Sequence, residues 1–151
     1  MSTICIPTTP PLDAPSSVLH NGLMRVIAGE AKGRRLKGPR GTETRPTSDK
    51  VKEALFSILG NRVMDARLLD LFAGSGGIGI EALSRGAAHA DFIEVDEAIA
   101  DTLEQNLTAC GFSDRAEVHR MDAFRFIKQI RQPYDLVFAD PPYHTWHHKK
   151  L

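Results

Sequence analysis

The stretch Leu69-Asp70-Leu71-Phe72-Ala73-Gly74-Ser75-Gly76-Gly77-Ile78-Gly79 restricts the fold more than any other part of this chain. It leaves an apolar strand, turns through glycines and enters a helix. Glycine is needed where the backbone takes positive φ or approaches a ligand with no Cβ in the way. Gly74, Gly76 and Gly79 satisfy G-x-G-x-x-G, and Glu94 stands twenty residues beyond Gly74. A tight turn alone would explain the glycines. It does not explain a following helix and an acid at the end of the next strand, where a carboxylate can accept the hydroxyls of a ribose. The spacing fits both a dinucleotide and S-adenosylmethionine. Asp70, a carboxylate beside the loop, favours a ligand with an ammonium group over a pyrophosphate.

The rhythm around this loop is strand and helix in alternation. Strands are expected at Leu68–Phe72, Ala90–Val95, Ala116–His119 and Tyr134–Ala139. Helices are expected at Ile78–Arg85, stopped by Gly86, at Glu97–Cys110, stopped by Gly111, and at Ala123–Ile130, capped by Asp122. Such spacing implies right-handed crossovers and a parallel sheet, an α/β Rossmann-like fold. Upstream, Arg25–Ala28 and Gly33–Lys37 read as a small basic hairpin. A helix should begin near Thr47, Ser48 or Asp49, bury Val51, Ala54, Leu55, Ile58 and Leu59, and end at Gly60. Residues 1–23, with Pro7, Pro10, Pro11 and Pro15 and Asp13 alone as a charge, are expected to be a disordered leader, with Met24 as an alternative start.

At 151 residues the chain has room for one domain, spanning 24–151. Nineteen basic and nineteen acidic side chains cancel, but unevenly: ten Lys/Arg face four Asp/Glu from Met24 to Arg62, and nine face fourteen from Val63 onward. A uniformly basic coat is excluded, and a basic front is a footprint for a polyanion. Cys5 and Cys110 cannot build a disulfide framework or a zinc motif, which fits a reducing cytoplasm. No run approaches the ~18 apolar residues of a membrane span. His144, His147 and His148 have no upstream ligand partner, and no metal is expected there.

Asp140-Pro141-Pro142-Tyr143 closes the fourth strand and so faces the crevice of Gly74 and Glu94. The exocyclic amine of a nucleobase is a poor nucleophile, because its lone pair is delocalised into the ring. Two acceptors on its N–H bonds, the Asp140 carboxylate and the Pro141 carbonyl, would hold it and stabilise the charge that develops on methyl transfer. Consecutive prolines present that carbonyl rigidly, and Tyr143 offers a face for a base taken out of its stack.

These pieces, with Arg25-Val26-Ile27-Ala28-Gly29, Gly33-Arg34-Arg35-Leu36 and Arg45-Pro46-Thr47-Ser48-Asp49, run in the order of a known family. The chain resembles the RsmD-type bacterial 16S rRNA guanine-N2 methyltransferases, which use S-adenosylmethionine on a class I methyltransferase sheet. The resemblance implies cofactor contacts from Asp70, Phe72, Ala73, Gly74, Ser75, Gly76, Gly79, Glu94, Asp122 and Ala123. It implies target contacts from Asp140, Pro141, Pro142 and Tyr143, and phosphate contacts from Arg25, Lys32, Arg34, Arg35, Arg45 and Lys52. The implied partner is 16S rRNA or the 30S particle, and the complete enzyme would be a monomer. The family's sheet has seven strands, in the order 3-2-1-4-5-7-6. Four are found here, so the fourth should be a bare apolar edge, as in a truncated product. Two other functions share these motifs: an adenine-N6 DNA methyltransferase, and an RNA-binding remnant without activity.

Overall fold

The computed structural model describes residues 2–4, 24–38 and 48–141. In chain order the elements are β1 (Ser2–Ile4), β2 (Met24–Arg25), β3 (Arg35–Leu36), α1 (Asp49–Leu59), β4 (Arg67–Asp70) and α2 (Gly77–Ser84). They continue with β5 (His89–Ile93), α3 (Glu97–Cys110), β6 (Ala116–His119), α4 (Ala123–Ile127) and β7 (Leu136–Phe138). Helix α3 has the expected bounds. Helix α4 is one turn shorter than the apolar pattern suggests, and β7 is trimmed at both ends.

The main sheet has the order β1-β7-β4-β5-β6, and every pairing in it is parallel. Starting from β4 the chain moves outward through β5 to β6, then returns to lay β7 on the other side of β4. With right-handed crossovers, that reversal sends the connecting helix to the opposite face. Helices α2 and α3 accordingly pack with Leu68, Ala90, Phe92, Leu136 and Phe138, while α4 packs with Leu69, Ile93 and Val137. Alternation along each strand produces both cores, because successive side chains point to opposite faces. The reversal also opens a crevice at the carboxyl ends of β4 and β7.

Two expectations change at the sheet edge. Ser2–Ile4 is a strand, not part of a featureless leader, and β7 is not bare: Ser2, Thr3 and Ile4 lie in register with Leu136, Val137 and Phe138. An open edge presents unpaired N–H and C=O groups that any β-prone segment can satisfy, and Thr3 and Ile4 are β-branched. The remainder of residues 1–23 lies outside the described residues.

The basic hairpin forms, with Met24 opposite Leu36 and Arg25 opposite Arg35. It is clamped onto α2, not onto the sheet. Glu30 N–H donates to the Ser84 carbonyl (2.8 Å), Ala31 N–H to Ser84 Oγ (2.9 Å), and Ser84 Oγ to the Ala28 carbonyl (2.7 Å). Contact is so close that a Cβ on Gly29, whose φ is +89°, would sit 1.9 Å from the Ser84 oxygen. Ser48 caps α1 by accepting from Val51 N–H, and Gly60 ends it.

Candidate functional site

The glycine loop divides its tasks among its residues. Gly76 takes φ +98° and has no room for a Cβ, which would meet Leu103 Cδ1 at 2.4 Å. Gly79 lies against the Phe92 ring, where a Cβ would come within 2.2 Å, so it sets the approach of α2 to β5. Ser75 is buried: its hydroxyl turns to Met24 Sδ (3.7 Å) and its carbonyl accepts from Asn106 Nδ2 (2.9 Å). Those three residues pack the loop. Gly74 alone, at φ +58°, faces open space where a Cβ would touch nothing within 4 Å.

Glu94 is tied to this loop. One carboxylate oxygen accepts from Gly74 N–H and the other from Asp96 N–H, both at 2.9 Å. Burial raises its pKa, against the pull of those two N–H groups. Asp70, at the end of β4, is buried and shifted from the usual 3.8 to about 7. Desolvation is the main cause, and the negative charges of Glu94 and Asp140 add to it. The ends of β4, β5 and β7 thus bring three carboxylates into one electrostatic neighbourhood, as the motif spacing predicts.

Asp122 caps α4, its Oδ1 accepting from Phe124 N–H (2.8 Å) and Arg125 N–H (3.3 Å). Ala123 is buried beneath it. Phe72 meets Phe124 edge-on, with ring centroids 6.4 Å apart. Phe124 is 42% exposed and Val95 67%, apolar side chains held in water beside Asp122 and Glu94. Sequence reasoning missed both; the signal was an apolar residue one position after Glu94 and two positions after Asp122.

Asp140 and Pro141 are half-buried at the end of β7. Pro142, Tyr143 and Arg45 lie outside the described residues. Of the predicted phosphate contacts, Arg25, Lys32, Arg34 and Arg35 are exposed on the hairpin, and Arg25 pairs with Asp49 at 2.9 Å. Lys52 is a correction. It is fully buried, donating to the Arg25 carbonyl (2.5 Å) with Glu81 at 3.6 Å. It holds the hairpin from beneath and cannot reach a phosphate. Its helical neighbours Leu55, Phe56 and Leu59 share the buried face, which the charge count could not reveal.

The profile of the family described as "Conserved hypothetical protein 95", the RsmD family, matches residues 24–151. The chain belongs to the RsmD family. YlbH of Bacillus subtilis (strain 168) is 47% identical over 123 residues, which are 80% of this chain and 67% of that protein. Ribosomal RNA small subunit methyltransferase D of Escherichia coli (strain K12) is 43% identical over 123 residues, covering 82% and 62%. The solved structure of yhhF from Escherichia coli superposes with a TM-score of 0.74 at 44% identity, covering 81% of this chain and 66% of that one. The chain therefore spans about two thirds of the length of these relatives. The RsmD family comprises S-adenosylmethionine-dependent methyltransferases on the class I sheet. The cradle fits that cofactor: a glycine bordering open space, a carboxylate fixed at the end of β5, and a buried acid suited to a cation.

The Asp70 proton has a measurable consequence. Its folded pKa lies above the unfolded value, so the folded state holds this proton more tightly. The resulting stability is complete below about pH 4 and lost as the pH rises through about 7. Asp70→Asn keeps the shape without the charge. Relative to the native chain it should gain about 3–4 kcal/mol between pH 4 and pH 8, read from urea melts. A difference that does not vary with pH would show that Asp70 carries no such proton.

Proposed function

We propose that this chain transfers the methyl group of S-adenosylmethionine to the exocyclic N2 amine of a guanine in small-subunit rRNA. The observation that carries this reading is electrostatic: the charges of Asp140 and Glu94 both act on the buried Asp70, and Glu94 accepts from Gly74 N–H. Bound there, S-adenosylmethionine supplies an electrophilic methyl on a sulfonium centre.

Each residue then has a task. Glu94, fixed by two backbone donors, keeps lone pairs for the ribose hydroxyls, and Asp70 receives the ammonium group. Because Asp70 titrates near neutrality, cofactor affinity rises as the pH passes about 7 and the carboxylate ionises. Phe72, Phe124 and Val95 give the adenine an apolar lining, while Asp122 presents its carboxylate at the α4 terminus. The Asp140 carboxylate and Pro141 carbonyl accept the two N–H bonds of the amine and hold its nitrogen in line. Tyr143 stacks on the extruded base. Arg25, Lys32, Arg34, Arg35 and Arg45 meet phosphates, each contact salt-sensitive and largely blind to sequence.

Methyl incorporation from labelled S-adenosylmethionine into 30S particles, naked 16S rRNA and duplex DNA tests the substrate. The expected product is N2-methylguanine in the rRNA-containing substrates. N6-methyladenine in DNA would replace this reading with the adenine one, and RNA binding without cofactor binding would leave only a remnant.

A further inference from the structure

A second polar cluster lies on the α4 face of the sheet, before the strands reach the crevice. Asp91, in the middle of β5, is buried, and Glu117 is its direct neighbour on β6. His89 lies two residues earlier on β5 and His119 two residues later on β6, so all four share one face. We propose that His89, Asp91 and Glu117, with His119 as the fourth ligand, bind a divalent transition ion of the zinc class.

Geometry carries this assignment. One ligand atom from each of His89, Asp91 and Glu117 lies within 4.8 Å of the other two. Asp91 Oδ1 is 3.1 Å from His89 Nε2 and 3.2 Å from His119 Nε2, and His119 Nε2 is 3.9 Å from Glu117 Oε2. Metal–ligand bonds of about 2.0–2.1 Å put tetrahedral donor atoms about 3.3 Å apart, so small rotations complete the site. Two imidazoles and two carboxylates suit zinc, nickel or cobalt and not magnesium or calcium, which take oxygen alone.

The surroundings orient the ligands. Tyr134 O–H donates to Asp91 Oδ2 at 2.5 Å, which leaves Oδ1 toward the imidazoles. Arg67 Nη2, 3.8 Å from Oδ2, is the opposing charge; its guanidinium lies over the Tyr134 ring and is also held by Gln132. Without an ion, each imidazole can give its Nε2 proton to Asp91. On binding, each ring takes the tautomer with its proton on Nδ1, the Nε2 proton being released to solvent as Nδ1 gains one, and offers the Nε2 lone pair. The effect is a clamp between β5 and the edge strand β6. It needs no part of the methyl-transfer site.

Zinc titration of the whole chain, followed by calorimetry and by thermal midpoint, tests the site, with cobalt absorption bands reporting tetrahedral coordination. The terminal histidines are a competing ligand set, so the chain is also measured with His144, His147 and His148 replaced by alanine. One equivalent should bind in both forms and raise the midpoint. His89→Gln and the exposed-site variant Glu117→Gln, each folded by circular dichroism, should weaken binding about tenfold or more. Absence of saturable binding once the terminal histidines are removed would overturn the proposal, as would unchanged affinity in the His89 and Glu117 variants.

Discussion

Asp140→Ala is expected to slow methyl transfer about 10²–10³-fold while leaving cofactor affinity within a few-fold of the native value. The nitrogen lone pair of the amine is delocalised, and its N–H bonds need acceptors on the reacting side. Without the carboxylate, only the Pro141 carbonyl remains, and the charge that develops in the transition state loses its nearest counter-charge. Cofactor binding should survive for a second reason: the Asp140 charge raises the Asp70 pKa, so its removal lets Asp70 ionise more readily. Single-turnover rates with calorimetric Kd values separate the two effects. Near-normal turnover in the variant would remove Asp140 from the mechanism. A parallel loss of cofactor affinity would reassign it to cofactor binding.

Glu81→Ala is expected to cost about 3–5 kcal/mol and to release the hairpin from α2. Glu81 is fully buried and serves four partners. It accepts from Ile27 N–H (2.9 Å), Ala28 N–H (3.1 Å) and Arg85 Nε (2.8 Å), and lies 3.6 Å from the Lys52 ammonium. Burial already lowers the Lys52 pKa, and Glu81 is the main group opposing that shift. Without Glu81, the Lys52 charge is uncompensated and two backbone donors lose their acceptor. Lys52→Met should cost much less, because Glu81 keeps its other three donors and the methionine fills the same space. Urea melts of the two variants give the comparison, and hydrogen exchange at Ile27 and Ala28 reports whether the hairpin has come loose. Equal losses would mean that the carboxylate is no more important than the lysine beside it.

This contrast also shows why a charge count misreads the front of the chain. Ten basic residues between Met24 and Arg62 suggested one RNA-facing surface. Arg25, Lys32, Arg34 and Arg35 do lie in solvent, but Lys52 sits one helical turn before Leu55 and Phe56, on the buried face of α1. Its partner is the one acid in α2, a helix otherwise built from small, apolar and buried residues. A lone Glu in such a helix was the available signal, and only the hairpin packed above it explains why it is there.

The sequence by itself determined the parallel, crossover-linked sheet, the glycine loop and the acids at the strand ends. Those features depend on local periodicity, on glycine's conformational range and on the handedness of crossovers, all of which act over short stretches of chain. Tertiary structure decided which basic side chain is buried, that Ser2–Ile4 covers the edge of β7, and that Asp91 gathers two histidines, a tyrosine and an arginine around it. Each of these joins residues distant in the chain, and the energy of a buried charge depends on neighbours that no local pattern specifies.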